Sequence, residues 1–569
     1  MSEKKLTGLF LLSFAAISVF FMLGKMGDRF EPFVNLGGDM AVYASIAAAQ
    51  DDPSLFVNDP FLSNKKNINS YQMVFFPALR GLKAIFGNYG SAGLFLLPFV
   101  IFLHMTGYYA LGRSIFRNSW MGFYAALIIS IPTSTYYDYW GIFLDALPRF
   151  MYQALLPFLL ALAITRGRNP NWWFVILAGV GLLTYLHPAS APVWMAALTL
   201  GLWVSAEESS VWKKAQKMAV AFLILAIVLS PFLATYFSSV VSSASAPEDY
   251  DRVMAVLKDR FFMMKDAGLI SVLLNFFSSR MGFALDLVWY LVVTFAAAGA
   301  VYSMKRRESH DLFFAIRQIL AWIAAIFLVG AALPVIERAA FAQLRMIPPE
   351  FEVLRTIRFW TPLLLLLAMG FFWMVKEEIQ CRQTASLSAI RIASAAFLVV
   401  FLIAWGIRGF ASHSDFRAAV YQNKRCWTEA KIICSLPEGD LDLLEALNVI
   451  RDKTPVSAVI FAEGENLAIR YYAFRSLAYS YKDGAPLAYT DLRQLLAWND
   501  QYRTMEKLAK LKDMPNRRVK YMGDLVELAR TAKSNYLLLN APYDSGLYYP
   551  VNLELVFSNN SYSLYAINR

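Results

Sequence analysis

The chain has 569 residues, of which 58% are hydrophobic and only 17% charged, with a mean hydropathy of +0.44 and a formal net charge of +11. A soluble chain of this size carries about a quarter charged residues, so the composition excludes a soluble enzyme and indicates a polytopic helical membrane protein. The cations lie in loops and at helix ends with no basic stretch interleaved with aromatics, which excludes a nucleic-acid partner, and three cysteines with four isolated histidines (His104, His187, His310, His413) carry no metal-ligand spacing.

The opening MSEKKLTGLFLLSFAAISVFFML lacks a small-residue cleavage site after its apolar run, so it reads as a first membrane helix and not as a signal peptide. Hydropathy predicts about eleven spans, at 6–24, 91–111, 119–134, 150–165, 172–187, 190–205, 216–237, 286–303, 315–333, 359–375 and 391–410. Short basic loops carrying Lys4/Lys5, Arg113/Arg117, Arg166/Arg168, Lys213/Lys214/Lys217 and Lys305/Arg306/Arg307 alternate with the longer loops 25–90, 238–285 and 334–358. The positive-inside rule places the basic set and the N-terminus in the cytoplasm, and an odd number of spans puts the long loops and the C-terminus outside.

The first long loop carries NLGGDMAVYASIAAAQDDPSLFVNDPF, residues 35–61. Asp39 follows two glycines and opens a helix-like run, which makes it a natural N-cap. The same carboxylate, partly desolvated at the membrane face, would have a raised pKa suited to a general base. Asp51-Asp52-Pro53 and Asp59-Pro60 read as turn formers, with Asp59 also within the reach of a substrate. Residues 71–86, YQMVFFPALRGLKAIF, are too interrupted to span and read as an interfacial helix, aromatics down and Arg80 and Lys83 up.

The next outer loop, 134–153, gathers Asp138, Asp145 and Arg149 among aromatics. Asp145 and Arg149 have i,i+4 spacing for an ion pair at a helix start, whereas Asp138 is open to an acceptor hydroxyl or, with Asp39, to a divalent ion such as Mg or Mn. His187 in TYLHPASAP is a turn residue or a donor to sugar or phosphate. Loop 238–285 starts as a Ser/Ala/Pro hinge and becomes amphipathic, fitting either a lid or a surface helix on anionic lipid. In PPEFEVLRTIRFWTP, Arg355 and Arg358 fall three apart at the bilayer entrance. Two guanidiniums there require anionic partners: phospholipid headgroups or, with greater chemical use, the phosphate of a polyprenyl-phosphate donor.

Thus residues 1–410 form the membrane domain and 411–569 a soluble extracytoplasmic α/β domain. SAVIFA (457–462) and NYLLLNA (535–541) read as buried strands, 442–453 and 491–512 as amphipathic helices, and the end as a hairpin turning at Asn559-Asn560. No GxGxxG or GKS/T phosphate loop occurs. Cys426 and Cys434 are eight apart, compatible with a disulfide outside the cytoplasm or with two buried thiols.

A first span, a large outer loop with an early acid, an interfacial helix, many further spans and an outer C-terminal domain resemble the GT-C glycosyltransferase superfamily. The pattern D-x-x-x-Y…D-P-S-L-F-x-x-D-P-F, from Asp39 and Tyr43 to Phe61, looks like bacterial integral-membrane members of that group. The resemblance implies that Asp39 is the catalytic base or orients the acceptor, although Met40 stands where the superfamily's acidic pair would continue. It further implies that the loop carrying Asp138 faces the active-site cavity and that an arginine stands near Arg355 and Arg358; with Tyr43, Asp59 and His187, these are the expected substrate-site residues of a multi-pass protein of the bacterial plasma membrane.

The activity expected is inverting transfer of a sugar from a polyprenyl-phosphate donor to a glycan, lipid or protein acceptor at the outer face, in envelope glycan or glycolipid synthesis. The alternatives are a flippase for a lipid-linked glycan, which calls for charges buried mid-span, and a non-catalytic membrane assembly protein of a polysaccharide system.

Overall fold

The computed structural model describes residues 2–26, 33–69, 74–134, 139–208, 210–243, 249–260, 283–305, 311–345, 353–381, 400–401, 403–411, 414–429, 431, 438–512, 518–540 and 553–568. Each of the first ten predicted spans falls on a helix, and the eleventh is described only from residue 400 onward. Six helices among the described residues are long and apolar enough to cross a membrane: Glu3–Leu23, Tyr89–Phe116, Pro148–Arg166, Val211–Thr235, Asp311–Gly330 and Arg355–Lys376. Ser119–Ser130, Pro170–Leu183 and Val288–Val301 are apolar but shorter. At 1.5 Å per residue a 12-residue helix such as Ser119–Ser130 reaches only about 18 Å, short of a hydrocarbon core about 30 Å thick.

The helices pack through small residues, as they must where lipid offers no hydrophobic drive for association. A Cβ on Gly112 would come within 2.7 Å of the Ala125 Cβ, and one on Gly122 within 2.8 Å of the Tyr109 carbonyl, so Tyr89–Phe116 and Ser119–Ser130 touch backbone to backbone. Asn88 and Asn118 cap the two helices by accepting from Ser91 N (2.8 Å) and Met121 N (3.1 Å). The basic ends meet on one face of the bundle. There Arg113 bonds Glu3 (2.9 Å), Arg168 bonds Asp311 (2.8 Å), and Lys217 bonds Asn171 (2.8 Å).

Two of the expected long loops are largely helical where described. The helix after Asp311 passes through a π segment, Leu328–Ala332, and continues as Leu333–Gln343; a 3-10 turn follows over Val353–Phe359. In the other, Val211–Ser243 runs past residue 237 and a separate helix forms over Tyr250–Arg260. Residues 261–282, which carry part of the expected lid, lie outside the described residues.

The segment from 438 onward builds a five-stranded sheet from β3 (Val459–Ala462), β4 (Ser476–Leu477), β5 (Tyr536–Asn540), β6 (Leu553–Ser558) and β7 (Tyr562–Ile567), in the order β4-β3-β5-β7-β6; β1 (Thr133–Ser134) and β2 (Tyr139–Trp140) form a separate ribbon. β3 is parallel to β4 and β5, as strands joined through helices must be, and all four of its side chains are buried. The final hairpin adds β7 antiparallel to β5, and Asn559 closes its turn by accepting from Ser561 N (3.1 Å) and Tyr562 N (2.9 Å). The sheet is therefore mixed, parallel across β4, β3 and β5 and antiparallel across β5, β7 and β6.

This unit docks on the segment after the first helix, which is itself folded into Gly38–Asp51, a 3-10 turn at Pro53–Phe56 and the helix Phe75–Phe86. Tyr471 Oη donates to the Val34 carbonyl and accepts from Leu36 N; Asn35 bonds Asp440 (2.9 Å), and Asn58 bonds the Ser457 carbonyl (2.9 Å). Cys426 is disulfide-bonded, and Cys434 lies outside the described residues.

Candidate active site

Asp39 does not cap its helix. Gly37 is the N-cap with no side-chain cap bond, and Asp39 lies inside the first turn, free to reach outward. Its carboxylate meets Lys482 Nζ at 3.1 Å and Arg149 Nη2 at 3.8 Å, and Arg355 adds its field. These three cations come from the sheet-bearing unit, the N-terminus of Pro148–Arg166, and the 3-10 turn before Trp360. Nearly half of the Asp39 side chain, 46%, stays accessible. The acid is therefore partly accessible beside its three cations.

The electrostatics reverse the expected pKa. Burial pushes the Asp39 carboxyl up, but Arg149, Lys482 and Arg355 outweigh it and hold the carboxyl below the usual carboxylate range. Asp39 is a committed carboxylate, suited to accept a hydrogen bond from a hydroxyl and to hold cationic neighbours in place.

The preceding glycines are explained by what crowds them. A Cβ on Gly37 would lie 2.2 Å from Asp145 Oδ2. One on Gly38, whose φ is +23°, would lie 3.1 Å from Lys482 Nζ. Side chains at either position would displace the charged groups that frame Asp39. Asp145 pairs with Lys25 (2.8 Å), not with Arg149 as the i,i+4 spacing predicts, so Arg149 is turned toward Asp39.

A second polar group lies along the same helix. Tyr152 is one turn after Arg149; its ring is 6.3 Å from His187 and 6.3 Å from Phe359, and its phenol feels the charge of Arg358. Arg358, 3% exposed, donates to Ser190 Oγ (3.3 Å), and His187 Nδ1 shares that hydroxyl at 3.0 Å. Arg355 thus bears on Asp39, and the buried Arg358 on Ser190 and, through it, His187. The N-terminal turn of Pro148–Arg166 carries Arg149 beside Asp39 and Tyr152 beside His187, and adds the positive end of a helix dipole.

The other expected residues separate. Tyr43, one turn after Asp39, packs its ring against Phe75 (5.8 Å) and Phe76 (6.1 Å). Asp138 lies outside the described residues. Asp59 is a correction: it is 0% exposed, its carboxylate gripped by Arg470 (2.7 and 3.0 Å) and by the amides of Phe61, Leu62 and Leu477 (3.0, 2.9 and 2.9 Å). It has no surface to offer a substrate. Asp52 does form the predicted turn, accepting from Ser54 N at 3.0 Å. Asp51 instead ends its helix bonded to Arg80, Lys83 and Tyr89, so the two cations of Phe75–Phe86 face a carboxylate and not headgroups alone. Among the described residues no group of three or more His, Cys, Asp or Glu could hold a metal.

Sequence reasoning missed Lys482 altogether. It lies 443 positions from Asp39, in a short 3-10 turn (Tyr481–Asp483) that carries no motif. The one signal was indirect: paired glycines beside an acid imply that something bulky or charged approaches closely.

Six membrane-length apolar helices among the described residues define a polytopic helical membrane protein. No protein-family model and no curated protein matches the chain. Among solved structures it is similar to ArnT from Cupriavidus metallidurans bound to undecaprenyl phosphate, at 10% identity and a TM-score of 0.47, over 99% of this chain and 98% of that one. It is also similar to the arabinofuranosyltransferase AftD from mycobacteria, at 12% identity and a TM-score of 0.40 over 100% of this chain. The chain spans 40% of the AftD chain.

Proposed function

We propose that the protein transfers a sugar from a polyprenyl-phosphate donor to an acceptor hydroxyl at the charged cluster around Asp39. The observation that carries this reading is one accessible carboxylate ringed by Lys482, Arg149 and Arg355, with the buried Arg358 three residues after Arg355. Such a cluster attracts an anionic ligand and offers a carboxylate oxygen to a hydroxyl. The acceptor oxygen attacks the anomeric carbon while the bond from that carbon to the phosphate oxygen breaks. The phosphate leaves with the electron pair, its growing charge met by the arginines, and the configuration inverts. Asp39 orients the hydroxyl and takes its proton as the new bond forms; with its pKa held low, that transfer comes late. Ser190 and His187 lie beside Arg358. Arg149 of the Asp39 cluster and the basic Arg166 stand at opposite ends of Pro148–Arg166, and the positive-inside rule supports reading the Asp39 end as the outer one.

Undecaprenyl phosphate, the lipid held by ArnT, is a direct probe. The full chain in nanodiscs is expected to bind it and to ignore the uncharged polyprenol of the same length. Lys482→Ala and Arg358→Ala should weaken binding, and Asp39→Asn should keep binding but abolish transfer. Equal binding of phosphate and alcohol, or full transfer by a well-inserted Asp39→Asn protein, would overturn the reading.

A further inference from the structure

We infer that the buried cluster of Asp59, Arg470 and Asp483 is a positioning device: it holds Lys482, carried by the sheet-bearing unit, against Asp39. Arg470 spans the two acids. Its Nε and Nη2 bond Asp59 at 2.7 and 3.0 Å, while its Nη1 and Nη2 bond Asp483 at 2.6 and 2.8 Å. All three side chains are 5% exposed or less. Four of the five N–H donors of a guanidinium are thus committed, in a planar fork that fixes direction as well as distance.

The fixed elements all bear on Lys482. Asp59 gathers the turn at Phe61 and Leu62, the β4 amide of Leu477 and the helix bearing Arg470. Asp483 is the residue after Lys482, so pinning one leaves the other's Cα only about 3.8 Å away. The opposite side of the same turn is held as firmly: Glu465 accepts from Ser480 Oγ and from Tyr481 N (2.9 Å), and Ser480 Oγ accepts from Lys482 N (3.1 Å). Lys482 is therefore a flexible side chain on a backbone tied at both flanks, with its ammonium seated where a Gly38 Cβ would intrude.

Stability alone gives weak reason for this arrangement, because an apolar cluster of similar volume generally serves as well as a buried ion group. What charges add is a single geometry, since any shift leaves a buried carboxylate unpaired. Without the cluster, the unit could still dock through Tyr471, Asn35 and Asn58, but Lys482 would no longer be aimed. The catalytic consequence rests on the proposed transfer; the aiming of Lys482 does not.

The test is a zero-length carbodiimide crosslink between Asp39 and Lys482, read by mass spectrometry on the full chain in detergent. The unaltered protein should form it and Lys482→Gln should not. Asp483→Asn and Arg470→Lys should each lower the yield several-fold while residues 438–568 keep their resistance to protease. Unchanged yield in a protease-resistant variant would overturn the proposal. So would loss of yield and of resistance together in both variants, because the cluster would then be a docking contact only. The crosslink reads geometry and not turnover, so failure of the transferase reading leaves its outcome untouched.

Discussion

Arg470→Met tests how much of the docked structure depends on one buried guanidinium. The substitution keeps volume but strands Asp59 and Asp483, whose side chains are 0% and 5% exposed. Removing one member of a buried ion group costs about 3–5 kcal/mol. That is a large share of the roughly 5–15 kcal/mol that holds a domain together. Burial, with Asp59 and Glu465 alongside, pushes the Asp483 carboxyl up to about 6 against the pull of Arg470. A carboxyl whose folded pKa exceeds its unfolded value contributes stability that is full below the unfolded pKa and is lost as pH rises through the folded one. The folded unit should therefore gain stability as pH falls from about 7 toward 4, and the deficit of the Arg470→Met protein should shrink over the same window. Hydrogen exchange of the amides in β3 and β4 is the assay. The variant should exchange faster by about a hundred-fold or more near neutral pH, after correction for intrinsic rates, and by less at pH about 5. An acceleration under about ten-fold, or a deficit that grows on acidification, would refute the account of the cluster.

Three further outcomes follow from the site. Gly37→Ala forces a Cβ to within 2.2 Å of Asp145 Oδ2, whereas a Cβ on Gly8 meets nothing within 4 Å. Thermal melts should show Gly37→Ala destabilised by about 1–3 kcal/mol and Gly8→Ala close to neutral. Because its three cations hold Asp39 below the usual carboxylate range, the acid is ionised throughout pH 5–8; transfer that depends on it should show no titration limb from Asp39 in that window, and a limb near pH 6 that vanishes in Asp39→Asn would contradict this. Those same cations disfavour a divalent ion at Asp39, so chelation with EDTA should leave undecaprenyl-phosphate binding unchanged, which calorimetry can check.

Hydropathy located the helices well because a membrane helix is written in consecutive apolar residues. It did not locate the long-loop structure, since helices such as Leu333–Gln343 owe their form to continuity with a span and not to periodicity of their own. In the outer unit, VIFA and YLLLN announced themselves as buried strands, and Asn559 as a turn. At the candidate site, the two glycines before Asp39 suggested a helix cap, whereas Gly37 is the cap and Asp39 lies in the first turn, with the field of Arg355 on it. Asp59 misled, because an Asp-Pro turn looks the same whether the acid faces solvent or a buried arginine. The raised pKa expected for Asp39 failed for a related reason: Lys482 and Arg149 are distant in sequence, and only folding brings their charge to bear. Long-range charge pairing leaves no trace in local pattern.

On the proposed function, the charged cluster around Asp39, with Arg355 and Arg358, holds a lipid-linked phosphate. A density map of the full chain with undecaprenyl phosphate tests it most directly. The phosphate is expected within hydrogen-bond reach of Arg358 or Arg355, with its headgroup side open toward Asp39 and Lys482. Phosphate density on another face of the bundle, with none at the cluster around Asp39 at saturating lipid, would contradict the account.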